Sequence, residues 1–363
     1  MSRFRMAVVG VGALGRHHAR LLSEMEDVQL VGVADPNEQQ GQAVAKAHGT
    51  RWVADYKELL SKVDGLSIVV PTFLHRRIAE EALSRGIPVL VEKPITGTIA
   101  DAQALCNLAD DQAIPLQVGH IERFNPAFLE LATRVERPRY LRAERLSPYA
   151  FRSTDISAVL DLMIHDLDLI LTLVQAPIRR VEAFGVCVVG GLVDIVQARV
   201  LFENGSIADL TANRVSPTVS RTLQVWSETG CVTADLQAQT VTAIQPGADL
   251  LAGQLPLELA QQPGADIEQL KSEMFTRFLQ QQQPTIAPTN ALHDELRNFI
   301  DSVRTGGSPK VNGRDGLAAL SLAKQIESAV ESHAWDGHPQ GLIGPHAHHP
   351  QSTQRSNNNT RAA

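Results

Sequence analysis

From residue 4 onward, short apolar runs alternate with segments of helical period. Residues 4–9, 28–34, 66–70, 89–92 and 116–119 have the length and the Val, Leu, Ile and Ala content of buried strands. Between them, residues 13–23, 38–47, 78–84 and 100–113 repeat their apolar positions at helical spacing. Such strand–helix alternation with short connections predicts an α/β domain built on a doubly wound parallel sheet with right-handed crossovers. Beyond about residue 126 the texture changes. Runs at 181–189, 193–202, 207–213, 222–226, 231–236 and 240–244 are longer and partly alternating, and Asn204-Gly205 between two of them marks a hairpin. They predict a C-terminal α+β domain with a large open, mainly antiparallel sheet. One face of that sheet needs cover, so a homodimer or homotetramer formed through it is expected. Residues 291–303 and 316–330 read as amphipathic helices that pack back on the body. The expected division is 1–124, 125–332 and a disordered tail, 333–363, rich in His, Pro, Gln, Asn and Ser.

One helical segment inverts the usual amphipathic pattern. In residues 160–171, Leu, Ile and Met fill most positions, while Asp161, His165, Asp168 and Thr172 fall at i, i+4, i+7 and i+11 on one face. A mostly apolar helix with one polar stripe must satisfy those groups in a core network or at a cleft. A carboxylate one turn from an imidazole also suits the orientation of a general base. His165 is the expected base, Asp161 its partner, and Asp168 a structural carboxylate.

Composition narrows the function classes. At 363 residues the chain exceeds one ordinary core, and 44% hydrophobic content without an apolar run of about 18 residues predicts no membrane span. The net charge of −7 is spread along the chain, and no basic arm is present, which argues against nucleic acid. Cys106, Cys187 and Cys231 are an odd, widely spaced set, as expected of a reduced cytoplasmic protein. Structure starting at residue 4 leaves no room for a signal peptide. No Cys or further His lies at ligand spacing near Asp161 and His165, so no metal is expected there. The tail histidines (His338, His346, His348, His349) are expected to bind metal adventitiously at most.

Gly10-Val-Gly12-Ala13-Leu14-Gly15 follows a predicted strand and opens a helix. Gly10 would make the tight turn, Gly12 would let backbone approach a pyrophosphate, and Gly15 would bring helix and strand close. Asp35, 20 residues past Gly15 at the end of the next strand, can accept both ribose hydroxyls and would repel a 2′-phosphate. NAD rather than NADP is therefore the expected cofactor, on a Rossmann-type domain. Ligands of such sheets lie outside the carboxyl ends of the strands, which places Glu92-Lys93-Pro94 and Pro71-Thr72-x-x-His75 beside the nicotinamide region. A lysine there should lose affinity for its proton and could hydrogen-bond a hydroxyl being oxidised, with Glu92 holding the ammonium.

The glycine fingerprint, Asp35, Pro71-Thr72-x-x-His75, Glu92-Lys93-Pro94 and Asp161-x-x-x-His165 occur in an order that resembles the glucose–fructose oxidoreductase/inositol dehydrogenase (Gfo/Idh/MocA) family over roughly residues 4–330. The resemblance implies NAD(P)-dependent oxidoreduction of sugars or polyols, with Lys93 and His165 as the catalytic pair and Asp161 near the substrate. The stretches 118–126, 146–155 and 203–216 look like the branch associated with lipid A synthesis, the UDP-N-acetylglucosamine 3-dehydrogenases. Those enzymes make a 3-keto sugar nucleotide that a pyridoxal-phosphate aminotransferase consumes, which makes such an aminotransferase a candidate pathway partner. Arg123, Asn125, Arg152, Ser153 and Arg214 are the substrate-binding candidates, the arginines as cations for a diphosphate. One departure stands out: where many members carry Gly two positions before the histidine, this chain has Met163. A free inositol, a polyol or another nucleotide sugar as substrate remains an alternative, as does an NAD-sensing regulatory subunit without turnover.

Overall fold

The computed structural model describes residues 3–151, 156–335 and 342–345. The chain divides into two compact units, 1–124 with 289–322 and 125–288 with 323–363. The first unit's second stretch differs from the sequence reading, which kept residues 289–322 with the C-terminal domain.

In the first unit, β1 (Phe4–Val9), β2 (Val28–Ala34), β3 (Arg51–Val53), β4 (Gly65–Ile68), β5 (Val89–Glu92) and β6 (Leu116–Gly119) form a six-stranded sheet ordered β3-β2-β1-β4-β5-β6. Every pairing recorded in it is parallel. The crossovers are α1 (Gly15–Glu24), α2 (Glu38–Ala47), the short α3 (Lys57–Leu60), α4 (Thr72–Ser84) and α5 (Ile99–Gln112). Local chemistry marks their starts: Asn37 caps α2 by accepting from the Gln40 amide, and Thr98 caps α5 by accepting from the Asp101 amide. A core of Met6, Val8, Leu22, Val33 and Leu90 is closed by Leu296, Phe299 and Ile300. Those last three come from a helix of residues 291–305, far along the chain, so burial explains why this segment groups with the first unit.

The second unit opens with α6 (Pro126–Arg134) and β7 (Tyr140–Leu146). A helical segment follows, beginning with a wide turn at Val159–Met163 and continuing as α7 (Ile164–Val174). Then come β8 (Ile178–Val186), β9 (Ile195–Phe202), β10 (Ile207–Asn213), β11 (Ser220–Ser227), β12 (Gly230–Asp235) and β13 (Thr240–Pro246). Three short helices, α8 (Ala248–Leu251), α9 (Pro256–Ala260) and α10 (Ile267–Glu273), lead to β14 (Leu279–Gln282). The nine-stranded sheet runs β14-β13-β12-β11-β7-β10-β9-β8-β15, where β15 is Leu342–Ile343. It is antiparallel except for β7 beside β10 and β15 beside β8. The hairpin between β9 and β10 turns at Gly205, φ +83°. The helices of residues 291–305 (α11) and Gly313–Ser332 (α12) complete the described chain, and the division between units falls within α12.

The expected disorder of 333–363 needs correction. The Cys187 amide donates to the Ile343 carbonyl at 2.8 Å, so residues 342–343 extend the sheet, and His333 and Trp335 stack with Phe184. The rest of that tail, with His338, His346, His348 and His349, lies outside the described residues.

Candidate active site

The three fingerprint glycines do different physical work. At Gly10, φ +84°, a Cβ would lie 2.4 Å from the Val69 carbonyl oxygen, and at Gly15 it would lie 1.9 Å from the Gly10 carbonyl oxygen. No side chain fits either place. A Cβ at Gly12 would meet nothing nearer than the Gln40 amide nitrogen at 4.0 Å. Two glycines thus let α1 close on the turn, while the third leaves bare backbone in the exposed loop of Ala13 and Leu14 at the helix N-terminus. Unpaired amides there suit a phosphate.

Asp35, just past β2, is buried, and its carboxylate accepts from the Val11 amide at 2.9 Å, the Asn37 amide at 2.8 Å and Gln40 Nε2 at 3.1 Å. A carboxylate offers about four lone-pair positions, so one ribose hydroxyl can be added and a second takes the place of the Gln40 amide. These features fit an NAD adenosine half.

Pro71 and Thr72 start α4 at the carboxyl end of β4. His75 is buried, with Nδ1 2.9 Å from the Pro94 carbonyl and Nε2 2.9 Å from the Val70 carbonyl. Burial holds its pKa below the ordinary value, although both carbonyls pull the other way. The ring therefore ties two strand-end loops together. Lys93 is half-buried after β5 and joined to Pro94 by a cis peptide. Glu92 Oε2 accepts from the Lys93 amide at 3.2 Å, and Glu92 Oε1 lies 3.1 Å from His18 Nε2.

His120 is the residue that sequence reasoning missed. It is buried at the end of β6, and burial first, then the positive charges of Lys93 and Arg123, push its pKa down to about 3. The imidazole beside Lys93 is neutral at any ordinary pH. Its position one residue past a predicted strand, at the carboxyl end, was the available signal.

Two arginines and an asparagine expected at substrate are buried and make contacts within the fold. Arg123 is buried and donates to the Lys310 carbonyl at 3.0 Å within the first unit. Asn125 caps α6 through its oxygen and donates from Nδ2 to the Leu236 carbonyl at 2.9 Å. Arg214 is buried, with Nε on Asp194 at 2.7 Å and Nη1 on the Ile156 carbonyl at 2.7 Å. These contacts anchor the three side chains within the fold. Arg152 and Ser153 lie outside the described residues.

In the second unit the polar stripe splits. Asp161 and His165 are half-exposed, whereas Asp168 is buried at 2% exposure. The wide turn at Val159–Met163, closed by the Ile164 amide on the Val159 carbonyl, adds a residue to the helix ahead of His165. Wide turns of this kind recur at functional sites. Thr172 Oγ1 turns back to the Asp168 carbonyl at 2.8 Å. Off the stripe, Asp166 receives Arg145 of β7 in a buried, bidentate pair, Nη2 to Oδ1 at 2.7 Å and Nε to Oδ2 at 3.0 Å. Among the described residues no group of three or more His, Cys, Asp or Glu side chains is placed to hold a metal ion. None of the described helices is long and apolar enough to cross a membrane.

Comparison with known proteins follows the same division. The model of the oxidoreductase family with an NAD-binding Rossmann fold (GFO_IDH_MocA) matches residues 4–120, and that of the GFO/IDH/MocA C-terminal domain matches 130–233. The chain is similar to the UDP-N-acetylglucosamine 3-dehydrogenase of Acidithiobacillus ferrooxidans, 34% identical over 333 residues, covering 92% of this chain and 99% of that one. A solved structure of that enzyme superposes with a TM-score of 0.81 at 33% identity, again over 92% and 99% of the two chains. The scyllo-inositol 2-dehydrogenase (NAD(+)) of Bacillus subtilis is 30% identical over 232 residues, 59% of this chain and 68% of that one.

Proposed function

Because this chain belongs to the Gfo/Idh/MocA family of NAD-binding oxidoreductases, we propose that it oxidises a sugar hydroxyl to a ketone, the C3 hydroxyl of UDP-N-acetylglucosamine. One observation carries the choice of sugar: the match to a UDP-N-acetylglucosamine 3-dehydrogenase spans 99% of that enzyme in sequence and in structure. The inositol reading rests on a relative covered over only 68% of its length, and it stands second.

When bound, NAD supplies the hydride acceptor. The chain's own residues do the rest. Gly12 and the α1 N-terminus hold the pyrophosphate, and Asp35 holds the ribose and repels a 2′-phosphate. His165 Nε2 takes the proton of the sugar hydroxyl, Asp161 orients the imidazole or binds a neighbouring hydroxyl, and Lys93 Nζ hydrogen-bonds the oxygen as negative charge develops. Neutral His120 beside Lys93 adds no further positive charge there. The same proposal places the enzyme in the cytoplasm, in a lipid A-type route, handing its product to an aminotransferase, and associated as a homodimer or homotetramer through the nine-stranded sheet.

Pure protein incubated with NAD and UDP-N-acetylglucosamine should give a sugar nucleotide lighter by two hydrogens on mass spectrometry. A pyridoxal-phosphate aminotransferase with an amine donor traps the ketone. Turnover of inositol or another polyol with none on the nucleotide sugar would move the assignment to the second reading.

A further inference from the structure

We propose that His18 is a positioning residue for Lys93, acting through the carboxylate of Glu92. The proposal rests on the reading of Lys93 as the lysine that meets the substrate hydroxyl. His18 lies one turn inside α1, the helix whose N-terminus carries the open Gly12 backbone, and its side chain is 1% exposed. Its Nδ1 is 3.0 Å from Ser67 Oγ on β4, and its Nε2 is 3.1 Å from Glu92 Oε1 at the end of β5. The other carboxylate oxygen accepts the Lys93 amide at 3.2 Å. Gly119, paired with Glu92 across β5 and β6, makes the room: a Cβ there would sit 3.0 Å from both carboxylate oxygens. One imidazole thus links the phosphate-accepting helix to the strand end that presents Lys93.

A buried chain of this kind is a costly way to hold a sheet together, since apolar side chains would serve without desolvating a charge. Its chemistry suits another task. Ser67 Oγ lies within hydrogen-bond reach of Nδ1, which leaves the Nε2–H to donate to Glu92. Burial raises the Glu92 pKa, but His18 and the Lys93 charge outweigh it, and the carboxyl is held below its ordinary value. Glu92 is therefore an anion near enough to Lys93 for the two charges to act on each other. The other titratable groups around the pair are His75 from α4, and His120 and Arg123 beyond β6; burial disfavours charge on both imidazoles. Removing the His18 donor leaves a buried carboxylate that takes up a proton, and Lys93 then loses its counter-charge and releases its own proton more easily.

The test reads the Lys93 titration directly, in the full-length chain without cofactor or sugar. Lysines are reductively 13C-methylated, and the Lys93 resonance is assigned by its loss in Lys93→Arg. Glu92→Gln should lower the Lys93 midpoint by roughly one pH unit. His18→Leu should shift it in the same direction, His18→Gln should restore most of the shift, and His18→Leu should add nothing in the Glu92→Gln background. An unmoved midpoint in Glu92→Gln, or a His18→Leu shift that persists in that background, overturns the proposal. If His18→Leu does not fold, a Lys93 midpoint in His18→Gln that matches Glu92→Gln rather than the parent overturns it equally. Failure here is separate from failure of the catalytic reading, which would appear as full turnover by Lys93→Ala.

Discussion

The glycine turn of the first unit and the polar helix of the second both place chemistry on a helix, yet they are built by opposite means. The turn works by what is missing: side chains absent at Gly10 and Gly15 let α1 close on β1, and Gly12 leaves backbone open. The helix works by what is added: Asp161, His165, Asp166 and Asp168 all lie in a segment otherwise made of buried Leu, Ile and Met. An absence costs little to bury, whereas each added polar group must be compensated. The second unit therefore holds a buried, bidentate ion pair, Arg145 with Asp166.

Breaking that pair should give the largest effect on stability. Arg145→Met leaves the Asp166 carboxylate buried without its bidentate donor and should cost about 3–5 kcal/mol in urea denaturation. The double variant Arg145→Met with Asp166→Leu should recover most of the loss, because the desolvated charge goes with its partner. A single variant as stable as the parent would mean that the pair is not the device that seats α7 on β7.

The same pair explains why the two units were unequally legible. The α/β half announces itself through local signals, a glycine turn and short apolar strands, and β1, β2, β5 and β6 lie where those signals put them. β7 gave no such signal although it sits in the middle of the nine-stranded sheet. Its inward positions are Leu141, Ala143 and Arg145, so the third inward residue is charged and the alternation is lost. The inward Arg145 is paired with Asp166, 21 residues away, which a local strand pattern does not reach. The burial of Asn125 and Arg214 was illegible for the same reason: their partners, the Leu236 carbonyl and Asp194, are non-local. Along the polar stripe, Asp161 and His165 are more exposed than Asp168, and Asp166, off the stripe, shows its role only through the distant Arg145.

The proposed catalytic roles of Lys93 and His165 should show in rate rather than in stability. A positioned proton-transfer group is worth about 10²–10⁴ in rate. His165→Ala and Lys93→Ala should each lower kcat at least about tenfold, and more where the group is fully engaged, while NAD binding measured by fluorescence titration is retained. Full activity in both variants would remove the assignment. Loss of NAD binding along with activity in Lys93→Ala would move that residue from the substrate oxygen to the cofactor.

On the cofactor side the comparison sharpens into a contrast between two glycines and an aspartate. Gly12→Ala has space for its methyl group and should fold with an unchanged melting temperature, yet lose most NAD affinity because the backbone approach is blocked. Gly15→Ala cannot keep the turn, since the methyl group meets the Gly10 carbonyl at 1.9 Å, and should be destabilised outright. Asp35→Ala removes charge-assisted hydrogen bonds to the ribose and should weaken NAD about tenfold or more, with NADP affected less. Equal losses for both cofactors would detach Asp35 from the choice between them.

The smallest effect is a slope in pH. His120, with an ordinary value of 6.5, is pushed down to about 3 in the folded chain by burial and by Lys93 and Arg123. Between those two values the unfolded chain carries a proton on this residue that the folded chain does not, so His120 favours the folded state fully above pH 6.5 and loses that contribution as pH falls toward about 3. The slope it adds is at most about 1.4 kcal/mol per pH unit. His120→Gln removes the titration, and stability measured by urea denaturation should fall less steeply from pH 6 to pH 4 in the variant than in the parent. Identical slopes would show that the imidazole is already protonated in the fold. The positive charge that Lys93 faces would then be larger than the neutral ring allows, and the lysine would need its Glu92 counter-charge all the more.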